Sequence, residues 1–261
     1  PWFRRVLSAI KREIPVHHFI VVDGYSTDGT IDTVKEFFGD KTIVIKTRAP
    51  LGCARYLGMK VVDTEWFAFI DSDVEIVPGW FKVASRYMCL PRIYGVQGVY
   101  RGGSQQVQPV FLPRKINVKD IIIHGIVKLY GADTANVLLR RDVVHFVKPA
   151  YLCQLECGED AYIAWKIVEA GFLYIRVGKM QAIHYVNPKL VLKKTLERSF
   201  RYNGIFYAIP LRAYVISYSL RFLSSLFKRR IDFLHYLLGL IGGPPSWIKI
   251  KRLAKICHEG I

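Results

Sequence analysis

Cysteine and acid are the scarce residues in this chain, and each shortage removes a class of explanation. Five cysteines are scattered and odd in number, which does not suggest a disulfide framework or a paired zinc motif. Cys153 and Cys157 can share a helical face, but two thiols at that spacing do not make a metal site. A reducing compartment fits this usage. No internal repeat or low-complexity segment is present. The first residues, "PWFRRVLSAIKREI", read not as a signal peptide but as an amphipathic helix with Trp2, Phe3, Val6, Leu7 and Ile10 on one side.

Only 21 Asp and Glu stand against 38 Lys and Arg, a net charge of +17. The excess is uneven: Lys189 to Ile261 carries 14 basic and 3 acidic residues, or +11, leaving +6 on the first 188. With 51% apolar residues the chain can bury one large core, so a domain over 1–188 with a basic segment over 189–261 is expected.

What is plentiful is apolar strand. "HHFIVVD", "KTIVIK" and "EWFAFIDSD" recur about 23 residues apart, with helical patterns "TIDTVKEFF" and "LGCARYLGMKVV" between them. This is the rhythm of an α/β parallel sheet covered on both faces. In open α/β sheets ligands bind beyond the carboxyl ends of the strands, and two of these strands end in acid, at Asp23 and Asp71. The stretch from Tyr94 to about Ile126 is less regular, and "RGGSQQVQPVFLPRK" reads as a loop, either a cover over a site or a surface excursion.

In "FAFIDSDVE", alternate residues of an extended chain point the same way, so Asp71, Asp73 and Glu75 can converge on a hard cation such as Mg²⁺ or Mn²⁺. The alternative is a turn whose acids cap the helix that starts near Pro78. Asp23 can accept N–H donors from a base or hydroxyls from a ribose, or it can close a turn before "STDGT", with Ser26 or Thr27 capping the helix from Thr30. Asp28 and Gly29 read as structural.

Taken together, "VVDGYSTDGT", "LGCARYLG", "FIDSD" and "GEDAYIAWKIVEAGF" followed by "AIHY" resemble, in order, the family 2 inverting glycosyltransferases of the GT-A fold. The resemblance spans about residues 18 to 187. It implies a mixed, mainly parallel α/β sheet flanked by helices and a nucleotide-sugar donor. Asp23 falls at the base or ribose, Arg55 near the nucleotide, and Asp71 and Asp73 at a Mn²⁺ or Mg²⁺ ion and the diphosphate. "DSDVE" is also similar to polyprenyl-phosphate sugar synthases, whose third metal ligand falls at Glu75. His184 lies where the family often has a His facing the diphosphate or metal, although a His on an apolar strand is equally a core residue.

Inverting transfer to a hydroxyl needs a base, and Asp160 matches the family's base position, with Glu159 in a supporting or acceptor-binding role. Two acids there also suit the positive end of the helix they start. "YGADTANVLLRRD" resembles the acceptor side of the family's site. Arg140 and Arg141 beyond it either meet phosphate or form a solvated pair. The family's usual first strand, ending in Pro-x-x-Asn, has no counterpart here, nor has the processive Gln-x-x-Arg-Trp motif. A single sugar addition is therefore expected over polymerisation.

The tail reads as interfacial. In "LRAYVISYSLRFLSSLFKRR", polar residues recur at helical spacing beside a broad apolar face. Its roughly 17 helical residues at 1.5 Å each fall short of the ~30 Å hydrocarbon core. "FLHYLLGLIGG" is shorter still. Flanking "KRR" and "KIKR" suit anionic headgroups, whereas nucleic acid is not expected, because no stacking or groove-reading motif is present. A soluble helical subdomain or oligomer contact is the alternative for the tail. The expected protein is a metal-dependent inverting glycosyltransferase at the cytoplasmic face of the membrane, moving one sugar from a UDP- or GDP-sugar to a lipid-linked acceptor. The rivals are a nucleotidyltransferase, which would be expected to carry a Gly-rich phosphate loop absent before Asp23, and a non-catalytic membrane-associated nucleotide-sugar binding protein.

Overall fold

The computed structural model describes residues 2–101, 107–109, 132–155 and 158–185. The basic segment 189–261, most of the "RGGSQQVQPVFLPRK" stretch and Cys157 lie outside the described residues.

The chain opens with helix α1 (Trp2–Glu13). It buries Val6, Leu7, Ala9 and Ile10, the i, i+3, i+4 set that an amphipathic helix turns to its core. Trp2, expected on that side, is exposed and stacks instead on Tyr185, 6.0 Å between rings. Strand β1 (Phe19–Asp23), helix α2 (Thr30–Phe38), strand β2 (Thr42–Lys46), helix α3 (Leu51–Lys60) and strand β3 (Trp66–Ile70) follow. The three apolar runs and the two helical patterns between them are thus the elements anticipated.

The pairing differs from the simple βαβ rhythm. β1 and β2 pair in parallel, Asp23 opposite Lys46, as a separate two-stranded sheet. β3 belongs to a six-stranded sheet with β4 (Val74–Ile76), β5 (Ile93–Tyr100), β6 (Val107–Pro109), β7 (Asn136–Arg140) and β8 (Leu173–His184), in the order β3-β7-β5-β8-β4 with β6 on β8. Among the described residues only β1–β2 and β5–β8 are parallel pairs; β3–β7, β5–β7, β4–β8 and β6–β8 are antiparallel. The sheet is mixed as expected but not mainly parallel, because β7 is inserted beside β3 from later in the chain. Among the described residues, β1 is paired on one edge only, by β2, and β3 on one edge only, by β7.

"IYGVQGVY", expected to be irregular, is instead the central strand β5, buried along nearly its whole length. Its two glycines hid it. A Cβ on Gly95 would stand 2.4 Å from the Tyr174 ring, and one on Gly98 would stand 2.3 Å from the Met180 carbonyl oxygen and 2.6 Å from the Asn136 amide nitrogen. Glycine in a strand interior often marks such a close approach. Gly98→Ala should therefore destabilise the protein by about 1–3 kcal/mol through overpacking, read as a lower midpoint of urea unfolding.

Two cores cover the large sheet. One joins α1, α2 and helix α4 (Trp80–Met88) to the strands through Leu7, Phe38, Trp80 and Val96. The other packs helices α5 (Val143–Phe146), α6 (Pro149–Leu152) and α7 (Glu159–Glu169) through Leu139, Leu152, Ile163 and Tyr174. Burying each such large side chain contributes about 1.5–3 kcal/mol. No helix among the described residues is long and apolar enough to cross a membrane.

Candidate functional site

The acids that end β1 and β3 face a cleft of about 1880 Å³ that also takes in the start of α7. Asp23 is buried at the end of β1 and accepts the Ser26 backbone N–H at 3.0 Å. Hydrogen bonds from Ser26 hold its carboxyl below the usual range despite burial. Asp23 is thus ionised and aimed by its own turn, so the turn-closing role is met while the residue still lines the cleft. The helix start is assigned differently from expectation: Asp28, not Ser26 or Thr27, accepts from the Thr30 N–H and hydroxyl at 3.1 and 2.6 Å. Gly29 takes φ +78° there, a backbone that glycine adopts at no steric cost.

Arg55 on α3 organises the centre. It is buried, gives Nη2 to Asp71 at 3.1 Å and Nε to Glu159 at 3.2 Å, and lies 5.1 Å over the Phe69 ring. Burial disfavours its charge, but Asp71 and Glu159 outweigh that and raise its pKa above the ordinary value. Arg55 reaches this depth because Gly52, one turn earlier, lets α3 press on α6, where a Cβ would meet the Leu152 carbonyl oxygen at 2.1 Å.

The "DSD" segment does not run on as a strand. The Val74 N–H closes on the Asp71 carbonyl at 2.9 Å, so residues 71–73 form a turn between β3 and β4 and the expected alternation is broken. Asp73 and Asp71 line the cleft, and His184, opposite Val74 on β8, brings Nε2 to 3.4 Å from Asp73 Oδ2. Glu75 is diverted: its carboxylate takes the Tyr185 hydroxyl and the Arg5 guanidinium, the latter at 3.2 Å. Asp71, Asp73, Glu75 and His184 therefore do not stand as one preassembled ligand set. Asp73 and His184 are adjacent, Asp71 gives one oxygen to Arg55, and Glu75 serves the α1 interface.

At the start of α7, Gly158 takes φ +80° and turns the chain into Glu159 and Asp160. Glu159 is buried against Arg55 in the wall of the cleft. Asp160 lines the cleft and accepts the Ala161 N–H at 2.6 Å. Burial first, then the neighbouring Glu159 charge, pushes its carboxyl up to about 7. Arg140 and Arg141 lie elsewhere. Arg140 pairs with Glu65 at 3.2 Å, and Arg141 reaches the Asp63 carbonyl oxygen at 3.5 Å, both at the amino end of β3.

One cleft acid escaped the sequence. Asp133 accepts from the Tyr100 hydroxyl at 2.6 Å and the Ala135 N–H at 2.8 Å, and its own N–H donates to Gln97 Oε1 at 3.0 Å. Burial and then this carboxylate raise the Tyr100 pKa, so the phenol stays protonated. The available signal was position. Asp133 precedes β7, which runs antiparallel to β3 with Asn136 opposite Ile70, so an acid before β7 reaches the same sheet edge as an acid after β3.

Polar groups gathered at the sheet edge beyond β1 and β3 stand where open α/β sheets bind ligands. The chain matches the model of glycosyl transferase family 2 over residues 1–146 and belongs to that family. No curated protein matches it. Among solved structures it resembles the mannosyltransferase PcManGT from Pyrobaculum calidifontis, in complex with GDP-Man and Mn²⁺, at a TM-score of 0.58 and 14% identity, covering 100% of this chain and 72% of that one. S. aureus TarS aligns at a TM-score of 0.53 and 14% identity over 91% of this chain, which spans 52% of that structure. A mycobacterial protein aligns at 0.55 and 14% identity, over 80% and 71%. At these identities the likenesses show the GT-A fold.

Proposed function

We propose that this glycosyltransferase moves a single sugar, with inversion, from a UDP- or GDP-sugar to a lipid-linked acceptor, working peripherally at the cytoplasmic face of the membrane. The observation that carries the reading is one cleft lined by Asp23, Asp71, Arg55, Glu159 and Asp160, with Arg55 bonded to both Asp71 and Glu159. Asp23 is preset as an acceptor for a base or ribose. Arg55, held between two carboxylates, keeps Asp71 fixed at the donor end and the start of α7 fixed at the acceptor end. Asp160, poised near 7, takes the proton of an acceptor hydroxyl as that oxygen attacks the anomeric carbon, and the nucleoside diphosphate departs from the opposite face.

The donor set fits a divalent cation. Asp73 and His184 are partly exposed side by side in the cleft, and Asp71 keeps a second oxygen beyond the one on Arg55. Mg²⁺ and Mn²⁺ are commonly held by one or two carboxylates plus phosphate oxygens. Asp73, His184 and Asp71 would hold the ion, which supplies neutralisation of diphosphate charge. The PcManGT complex contains both GDP-Man and Mn²⁺, which supports this donor chemistry. The lipid-linked acceptor is supported by the 14 basic residues of the 189–261 sequence and the apolar runs between them.

Incubation of the full chain with Mn²⁺, membrane lipid extract and a panel of labelled UDP- and GDP-sugars tests the reading. Nucleoside diphosphate release with label entering the lipid phase is expected; pyrophosphate release, or intact donor after prolonged incubation, overturns it. In the same panel Asp73→Ala should lose the metal-dependent part of donor binding, about tenfold or more, while metal-independent binding is retained. Equal metal stimulation in the variant and the parent protein would remove Asp73 from the ion.

A further inference from the structure

The opposite end of the same cleft carries a second group of ligating side chains, made by residues that none of the roles above employs. His17 and His18 close the link from α1 to β1, and Asp63 lies in the link from α3 to β3. His17 Nε2 stands 3.6 Å from Asp63 Oδ2, and His18 Nδ1 stands 3.3 Å from Asp63 Oδ1. The two imidazole rings are 4.3 Å apart. Among the described residues this is the one group whose three ligand atoms all fall within 4.8 Å of one another.

The geometry points to a binding site for a borderline divalent cation of the Zn²⁺ class, held by His17, His18 and Asp63. In a tetrahedral site with metal–ligand distances of about 2.0–2.1 Å, neighbouring donors are about 3.3–3.4 Å apart. The two imidazole nitrogens stand at 3.6 and 3.3 Å from the two different oxygens of Asp63, near that value before any ion draws one oxygen between them. Two imidazoles and one carboxylate leave a fourth position for water, and imidazole ligands suit Zn²⁺, Ni²⁺ or Cu²⁺, whereas carboxylate, carbonyl and water ligands suit Mg²⁺ or Mn²⁺. All three residues are exposed, so an ion can reach them from solvent.

The site is distinct from the donor end. His18 precedes β1 and Asp23 is its last residue, so at about 3.3 Å per residue the two lie roughly 16 Å apart along the strand. Its position gives it a consequence. β1 and β3 belong to different sheets and are not paired with each other among the described residues, and the ion would tie the links that lead into them across the cleft. Folding and metal occupancy are then coupled, since an ion that binds only the folded form stabilises it.

The test uses the full chain stripped with chelator, without nucleotide or sugar. Zn²⁺ titrated by calorimetry and by competition with a chromogenic chelator should bind with an affinity that millimolar Mg²⁺ leaves unchanged, and should raise the melting temperature by a few degrees. His17→Ala/His18→Ala and Asp63→Asn should each weaken one equivalent of Zn²⁺ at least tenfold and abolish the thermal shift. His184→Ala should retain both. Because the three side chains are exposed, the metal-free melting temperatures of the variants should match the parent. Zn²⁺ binding and thermal shift that persist in both variants, loss of that equivalent in His184→Ala instead, or no binding by the parent chain would overturn the assignment.

Discussion

Arg55→Met should lower the stability of the protein by about 3–5 kcal/mol, the cost of leaving a buried charge without its partner. Glu159 is 4% exposed and Arg55 9% exposed, so Glu159 has no ready access to bulk water in compensation. Replacing both members, Arg55→Met with Glu159→Gln, should recover part of the loss, since an apolar or neutral replacement of a whole buried pair is often close to neutral. Guanidinium unfolding of the parent and the two variants decides it. If Arg55→Met unfolds at the parent midpoint, the bridge is not a structural element. Activity should fall in both the single and the double variant, because neither retains the guanidinium that fixes Asp71. A stability loss that is rescued and an activity loss that is not would separate the two duties of this one side chain.

That bridge also explains what the sequence could and could not announce. β1, β2 and β3 were legible because their apolar residues run unbroken for three to five positions and stop at polar ones, and each became a strand with nearly the expected bounds. α2 was legible to the residue. Asp23, Asp71 and Asp160 were legible as cleft residues because each follows a strand end or opens a helix, and the structure brings all three to one cleft. Chain continuity does not encode pairing. β7 runs against β3 and lies between β3 and β5, so Asp133, written more than sixty residues after β3, reaches the same edge as Asp71 with no local signature. Glu75 failed for a related reason. Period-two alternation holds only while the chain stays extended, and the turn at 71–73 resets it, sending Glu75 to Arg5 and Tyr185. The partners that decided its fate come from α1 and from the end of β8, and neither is visible from the spacing of three acids.

Asp160→Asn should show the opposite signs in stability and in activity. The folded carboxyl is pushed up to about 7 by burial and by Glu159, against about 3.9 in an unfolded chain. Between those values the folded state binds more protons, so the contribution of this group to stability is full below about pH 4 and lost as pH rises to about 7. The amide cannot ionise. The variant should therefore match the parent near pH 4 to 5 and exceed it in stability at pH 8, measured by urea midpoint. The rate moves the other way. A general base works only when ionised, so turnover of the parent on a hydroxyl acceptor should climb through about pH 7 to a plateau. The variant should be flat over that range and lower by about 10²- to 10⁴-fold. With an acceptor phosphate that is already an anion no proton need be removed, and the pH limb should be absent even in the parent protein. Near-parent turnover of Asp160→Asn on every accepted acceptor would remove Asp160 from the chemistry. A stability gain at pH 8 alongside that turnover would show that the strained carboxylate is real but serves only to open the helix that carries it.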